Sequence, residues 1–305
     1  MSGRTRVLLL TVVVALMGAG NLCLAAANTW LITPAWLAER LGHEPIVMLH
    51  LGDRAEYDAG HIANAQFMTL QDISEPPPPA TTLRLQMASI DALKDFFEAR
   101  GVTDTSRIVL VYGKDQITSV ARVFVALDLL GLADRTSVLD GGLPAWRAAG
   151  QPVTANAPAV TRGTFTPHPR TDVIAGLEWV SERLKDSKVQ IVDARTHDYF
   201  TGENTRGFPR PGHVAGAVNI PYTTVNQESA MLKDAAALRV LFEAQGIKPD
   251  TQVVTYCHIG QQASAVYFVA KLLGYNVRLY DGSFEEWSAA TQLPVETGEA
   301  KKIIR

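Results

Sequence analysis

The stretch Val253-Val254-Thr255-Tyr256-Cys257-His258-Ile259-Gly260-Gln261-Gln262-Ala263-Ser264 decides how the chain is read. Its first four residues are apolar or β-branched and read as a buried strand. From Ala263 to Leu273 an amphipathic run reads as a helix closed by Gly274. One cysteine and a tight polar loop lie between them. A thiol at a strand-to-helix turn faces the first N–H groups of the helix and the positive end of its dipole, and both favour thiolate. The same N–H groups can hold an anion. The pattern predicts a cysteine nucleophile, Cys257, inside a loop made by His258, Ile259, Gly260, Gln261, Gln262 and Ala263. A buried, inert cysteine is the plainer alternative, and the polar flanks argue against it.

Working outward, the chain repeats its plan. Gly60-His61-Ile62-Ala63-Asn64-Ala65 returns as Gly212-His213-Val214-Ala215-Gly216-Ala217. Asp140-Gly141-Gly142-Leu143-Pro144-Ala145-Trp146 returns as Asp281-Gly282-Ser283-Phe284-Glu285-Glu286-Trp287. Strand patterns at 45–51, 107–112, 189–192 and 253–256 alternate with helical ones at 89–100, 119–130, 177–184 and 234–245. The expected fold class is therefore α/β, two tandem domains, each a mostly parallel sheet with helices on both faces. A Pro-, Thr- and Ala-rich linker runs from Gly150 to about Asp172, and the boundary is placed near residue 155. The domains are then 28–155 and 156–305. The repeat is broken at one place: the first half carries Gly113 to Thr118 after its matching strand, with no cysteine.

Arg4 and Arg6, the apolar run Val7 to Ala19 and Ala25-Ala26-Ala27 read as a cleaved secretory signal over 1–27. A periplasmic or secreted location is expected. Cys23 leaves with that segment, so Cys257 would be the only cysteine of the mature chain, with no disulfide partner in it. Lys and Arg number 28 against 31 Asp and Glu, with no basic block, which gives nucleic-acid or membrane-surface binding little support. No motif implies a metal or a cofactor.

These doubled motifs, together with Asp193-Ala194-Arg195 and the run Gly212 to Pro221, resemble the tandem-domain rhodanese family of sulfurtransferases. The resemblance covers nearly all of the chain after the signal. It implies a catalytic cysteine in the C-terminal domain alone, a persulfide intermediate, and a donor-binding arginine after the Asp-x motif, which maps onto Arg195. Arg210 (or Arg206) would be a second. The implied activity is thiosulfate sulfurtransferase, passing sulfur to cyanide or a thiol. The alternatives are a 3-mercaptopyruvate sulfurtransferase and a persulfide carrier serving a specific partner. The expected partners are a small sulfur donor and a thiophilic acceptor, and the chain is expected to be a monomer.

The residues add their own chemistry. A guanidinium at Arg195 can grip a sulfonate or carboxylate in two places, although pairing with Asp193 or Glu203 is the plainer role. His258 is the adjustable charge, favouring an anionic donor if protonated. His213 and its twin His61 read as loop-locking residues, and Trp146 and Trp287 as core anchors. A cysteine phosphatase needs an arginine six residues after its cysteine; Ala263 stands there.

Overall fold

The computed structural model describes residues 30–76, 83–114, 117–205 and 207–300. The signal-like segment, Cys23 and Arg206 lie outside the described residues. The N-terminal half runs β1 (Leu31–Ile32), α1 (Pro34–Arg40), β2 (Ile46–Leu51), α2 (Arg54–Ala59), β3 (Ala65–Met68), α3 (Ile90–Ala99), β4 (Arg107–Tyr112), α4 (Thr118–Leu129), β5 (Thr136–Leu139) and α5 (Gly142–Ala148). The C-terminal half runs β6 (Ile174–Ala175), α6 (Leu177–Ser181), β7 (Val189–Asp193), α7 (His197–Thr201), β8 (His213–Val214), β9 (Val218–Asn219), α8 (Ala235–Glu243), β10 (Gln252–Tyr256), α9 (Gln261–Leu272), β11 (Val277–Tyr280), α10 (Ser283–Ala289) and β12 (Val295–Glu296).

Each half is built on a five-stranded sheet, in the orders β1-β5-β4-β2-β3 and β6-β11-β10-β7-β9. Every pair in both sheets is parallel. The central strands β4 and β10 are buried along all but their first residue, Arg107 and Gln252, because helices cover both faces. The fold class read from the alternating pattern is therefore the one observed. Two-residue strands escaped that reading, since β1, β6, β8, β9 and β12 are too short for a periodicity to show.

The repeat extends to individual contacts. His61 stacks on Tyr57 at 3.8 Å and sets its Nδ1 2.9 Å from the Tyr57 carbonyl. His213 stacks on Phe200 at 3.8 Å, with Nδ1 2.7 Å from the Phe200 carbonyl. Trp146 and Trp287 are both buried and donate their indole N–H to the carbonyls of Pro152 and Pro294. Each motif thus locks one loop and one helix onto its own sheet.

The two halves meet along α4 and α9, where Phe124 and Phe268 pack edge to face at 4.8 Å. One apolar cluster runs through both halves, from Phe97 and Leu110 to Val266 and Leu279. Each fully buried Leu or Phe there contributes about 1.5–3 kcal/mol, so burial dominates the contact. Within it, the buried Asp128 of α4 accepts from Tyr267 Oη at 2.6 Å, from Arg170 Nη1 at 2.9 Å and from Lys271 Nζ. The connecting segment packs on the N-terminal half: Gly163 donates to the Glu98 carbonyl and His168 to the Leu130 carbonyl.

Candidate active site

Strand β10 ends at Tyr256 and helix α9 begins at Gln261, so Cys257 to Gly260 form the turn between them. Gly260 takes a left-handed backbone, φ +88°, which turns the chain into the helix. The amides of Ala263, Ile259, Gly260 and Gln262 all bond the Cys257 sulfur. The loop is anchored below by α10. Cys257 N donates to Ser283 Oγ at 3.3 Å, Phe284 N to the Cys257 carbonyl at 3.0 Å, and Glu285 N to the His258 carbonyl at 3.1 Å. Ser283 holds a strained φ of +52° while making this contact. Its place in the Asp281-Gly282-Ser283 motif was readable, but its bond to the cysteine was not.

The sequence places a thiolate here, and the structure corrects that. Cys257 is wholly buried. Burial pushes its thiol pKa up, and the four amides oppose this only in part. Burial in the described state therefore works against the thiolate.

The arginine clamp is corrected too. Arg195 is 1% exposed and faces Asp193. Its Nε lies 3.0 Å from Asp193 Oδ1, its Nη2 2.5 Å from Asp193 Oδ2 and 2.7 Å from the Gly212 carbonyl. Burial works against its charge, but the Asp193 carboxylate more than compensates and the guanidinium pKa is raised. Tyr256 Oη donates to the same carboxylate at 2.6 Å, which ties β7 to β10 just before the cysteine. Arg210 caps α10 instead of facing a donor: it donates to the carbonyls of Trp287, Ser288, Ala290 and Leu293. Arg210 thus has all three guanidinium nitrogens engaged, and Arg195 commits Nε and Nη2 to the wall of the site.

His258 is not the adjustable cation expected of it. Burial, with Arg195 nearby, lowers its pKa to about 4, so the ring is neutral near pH 7. It stacks on Phe208 at 5.2 Å and meets Tyr199 edge-on at 4.5 Å. This aromatic rim went unread, because Tyr199 lies in the five-residue α7, too short to show a period, and Phe208 in irregular chain with no pattern to mark it.

The N-terminal half closes on the same loop. Arg84 binds Glu285 through N and Nε, at 2.7 and 2.8 Å. Gln261 Nε2 reaches Thr118 Oγ1 at 3.4 Å. A cleft of about 260 Å³ has Gln261 on one side and Leu85, Thr69 and Ser119 on the other.

The expectation of a thiosulfate sulfurtransferase, with a persulfide forming on a ready thiolate beside an arginine clamp, is accordingly corrected. The cysteine is present in its loop, but it is wholly buried, burial raises its thiol pKa, and the two arginines expected to grip a doubly charged donor are engaged with Asp193 and with the end of α10. Among the described residues no three His, Cys, Asp or Glu side chains gather as metal ligands; that concerns metal binding and does not bear on a single thiol. Nor, among the described residues, is any helix long and apolar enough to cross a membrane.

Comparison with known proteins places this site in context. Residues 33–149 and 176–290 each match the rhodanese-like domain. A thiosulfate sulfurtransferase of Pseudomonas aeruginosa is 32% identical over 266 residues, covering 87% of this chain and 96% of its own. The sulfur carrier protein TtuD of Thermus thermophilus is 31% identical over 284 residues, covering 88% and 97%. The 3-mercaptopyruvate sulfurtransferase of Escherichia coli K12 is 28% identical, covering 88% and 99%. Among solved structures, YnjE superposes with a TM-score of 0.78 at 23% identity, over 88% of this chain and 68% of its own; this likeness concerns the fold alone.

Proposed function

Because the chain belongs to the rhodanese-like family, in two tandem copies, we propose that Cys257 is its reacting group and that its loop receives a small sulfur-containing molecule. The observation that carries this is the convergence of four backbone amides on one sulfur atom. Such dipoles are preorganised for a negative charge that arrives there, whether thiolate or a second sulfur. They need no separate base once the thiol has lost its proton.

The chemistry is an exchange at sulfur. Cys257 Sγ, deprotonated when the site opens to water, bonds to the outer sulfur of a donor. The donor's bond to that sulfur breaks and its remainder leaves with the electron pair; the thiol proton goes to solvent. A thiophilic acceptor then takes the outer sulfur, and Cys257 Sγ regains its electron pair. The neutral His258 and the engaged Arg195 and Arg210 favour a donor of low charge over a dianion. The relatives' names span thiosulfate and 3-mercaptopyruvate sulfurtransferases and a sulfur carrier, so the test offers several donors. Purified protein is exposed in turn to thiosulfate, 3-mercaptopyruvate and an alkyl persulfide, and the Cys257 peptide is weighed. A gain of one sulfur atom is expected, largest for the least charged donor, and none in Cys257→Ser. No gain with any donor would sink the proposal.

The signal-like segment 1–27 supports export, and N-terminal sequencing of the protein from its own cells tests it. A start at Met1 would argue for a retained segment.

A further inference from the structure

Helix α4 belongs to the half without a cysteine and is apolar around Val120, Val123, Phe124 and Val125, yet it carries one buried arginine. Arg122 is 1% exposed. Its Nη2 donates to Asp281 Oδ1 and to the Leu85 carbonyl, both at 2.5 Å. Its Nε and Nη1 have no hydrogen-bond partner among the described residues. Nη1 lies against the Cys257 loop: a Cβ on Gly260 would stand 2.9 Å from it. The left-handed glycine and the arginine therefore fit one another, the flat guanidinium taking the space a side chain would fill.

The contacts continue to the sulfur's own support. Asp281 Oδ2 accepts from Met87 N at 2.8 Å, and two residues on, Ser283 Oγ accepts from Cys257 N at 3.3 Å. Leu85, whose carbonyl Arg122 holds, keeps a strained φ of +54°. A buried guanidinium with unmet N–H groups is costly, and persists where the surroundings require it.

Resting on the reading of Cys257 as the reacting group, we propose that Arg122 is a positioning residue for that thiol, supplied across the domain boundary. It roofs Gly260 and fixes the Asp281-Gly282-Ser283 turn, and so keeps the loop amides aimed at the sulfur. A guanidinium can bond Leu85 and Asp281 through Nη2 and still set Nη1 and Cζ against Gly260, which a single ammonium nitrogen cannot do. The half without a cysteine thus contributes to the site through one side chain. The other charged and titratable groups near the loop are His258, Tyr199, Asp198, Tyr256, Asp281, Glu285, Arg84 and the Asp193–Arg195 pair, and all are retained in the variants below.

The test follows the rate of Cys257 alkylation by iodoacetamide against pH, in the full chain, beside thermal melting. It needs no sulfur donor, so it succeeds or fails independently of sulfur transfer. Arg122→Met is expected to raise the apparent thiol pKa by about one unit, which is a tenfold lower thiolate fraction at any pH well below it. Arg122→Lys keeps the charge but not the fork, and is expected to recover only part of that shift. A folded Arg122→Met with the wild-type profile overturns the proposal, as does full recovery by lysine. If Arg122→Met does not fold, Arg122→Lys decides alone: a raised pKa supports the proposal and an unmoved one overturns it.

Discussion

Four amides point at the Cys257 sulfur, yet no solvent reaches it. Desolvation and amide dipoles act on the thiol in opposite senses, and in the closed state desolvation prevails. Alkylation of Cys257 should therefore rise with pH through an apparent pKa above that of an ordinary thiol, near 8.5. A midpoint below 8 would mean that the loop already holds thiolate. Arg195 makes the opposite kind of prediction. It neutralises Asp193 in a buried pair that also includes Tyr256. Arg195→Met leaves that carboxylate unpaired and should cost about 3–5 kcal/mol of stability, read from urea unfolding. A variant of wild-type stability whose donor saturation alone had weakened would restore the arginine to a donor-binding role.

Strand β2 carries a conspicuous oddity among the elements. His50 is wholly buried in it, and neither ring nitrogen has a hydrogen-bond partner among the described residues. Burial, with His61 and Arg147 nearby, lowers its pKa to about 4. Between that value and the unfolded value near 6.5, the unfolded chain binds a proton that the folded chain does not. Stability is thus full above about pH 6.5 and falls as pH drops toward 4, at up to about 1.4 kcal/mol per unit. His258 in the cysteine loop adds the same dependence over the same window. His50→Leu removes two unmet polar atoms at similar volume. It should leave stability at pH 7.5 unchanged or higher and flatten the acid limb of a melting-temperature profile. An unchanged acid limb would assign that loss to other groups.

Both halves share one apolar cluster and one buried ionic knot, Asp128 with Lys271, Arg170 and Tyr267. The molecule should consequently unfold in a single calorimetric transition. Asp128→Ala strands the nearly buried Lys271 and the Tyr267 hydroxyl between α4 and α9 and should lower stability by about 3–5 kcal/mol. Asp128→Leu with Lys271→Leu should recover part of that, because an apolar pair suits the surrounding cluster. Two separate transitions in the wild type would show that the halves are only loosely coupled. The same coupling brings Arg84, Thr118 and Arg122 to a loop in the other half.

What the chain dictates through local pattern was legible in its letters. The strands over 107–112 and 253–256 and the helices near 90–99 and 261–272 follow from runs long enough to show a period. The doubled Gly-His and Asp-Gly motifs gave the tandem plan; their twinned histidines hold loops and their tryptophans anchor the core, as read from the chain. The position of Cys257 at a strand-to-helix turn was equally local. Its protonation was not, because charge depends on everything that shuts out water, and those residues come from α10, the aromatic rim and the opposite domain. The pairing of Arg195 with Asp193, the capping of α10 by Arg210 and the reach of Arg122 across to Gly260 are likewise long-range. A residue's type and neighbours in sequence state what it can do. Which partner it meets, and whether that partner leaves it free to react, is decided only when distant segments pack together.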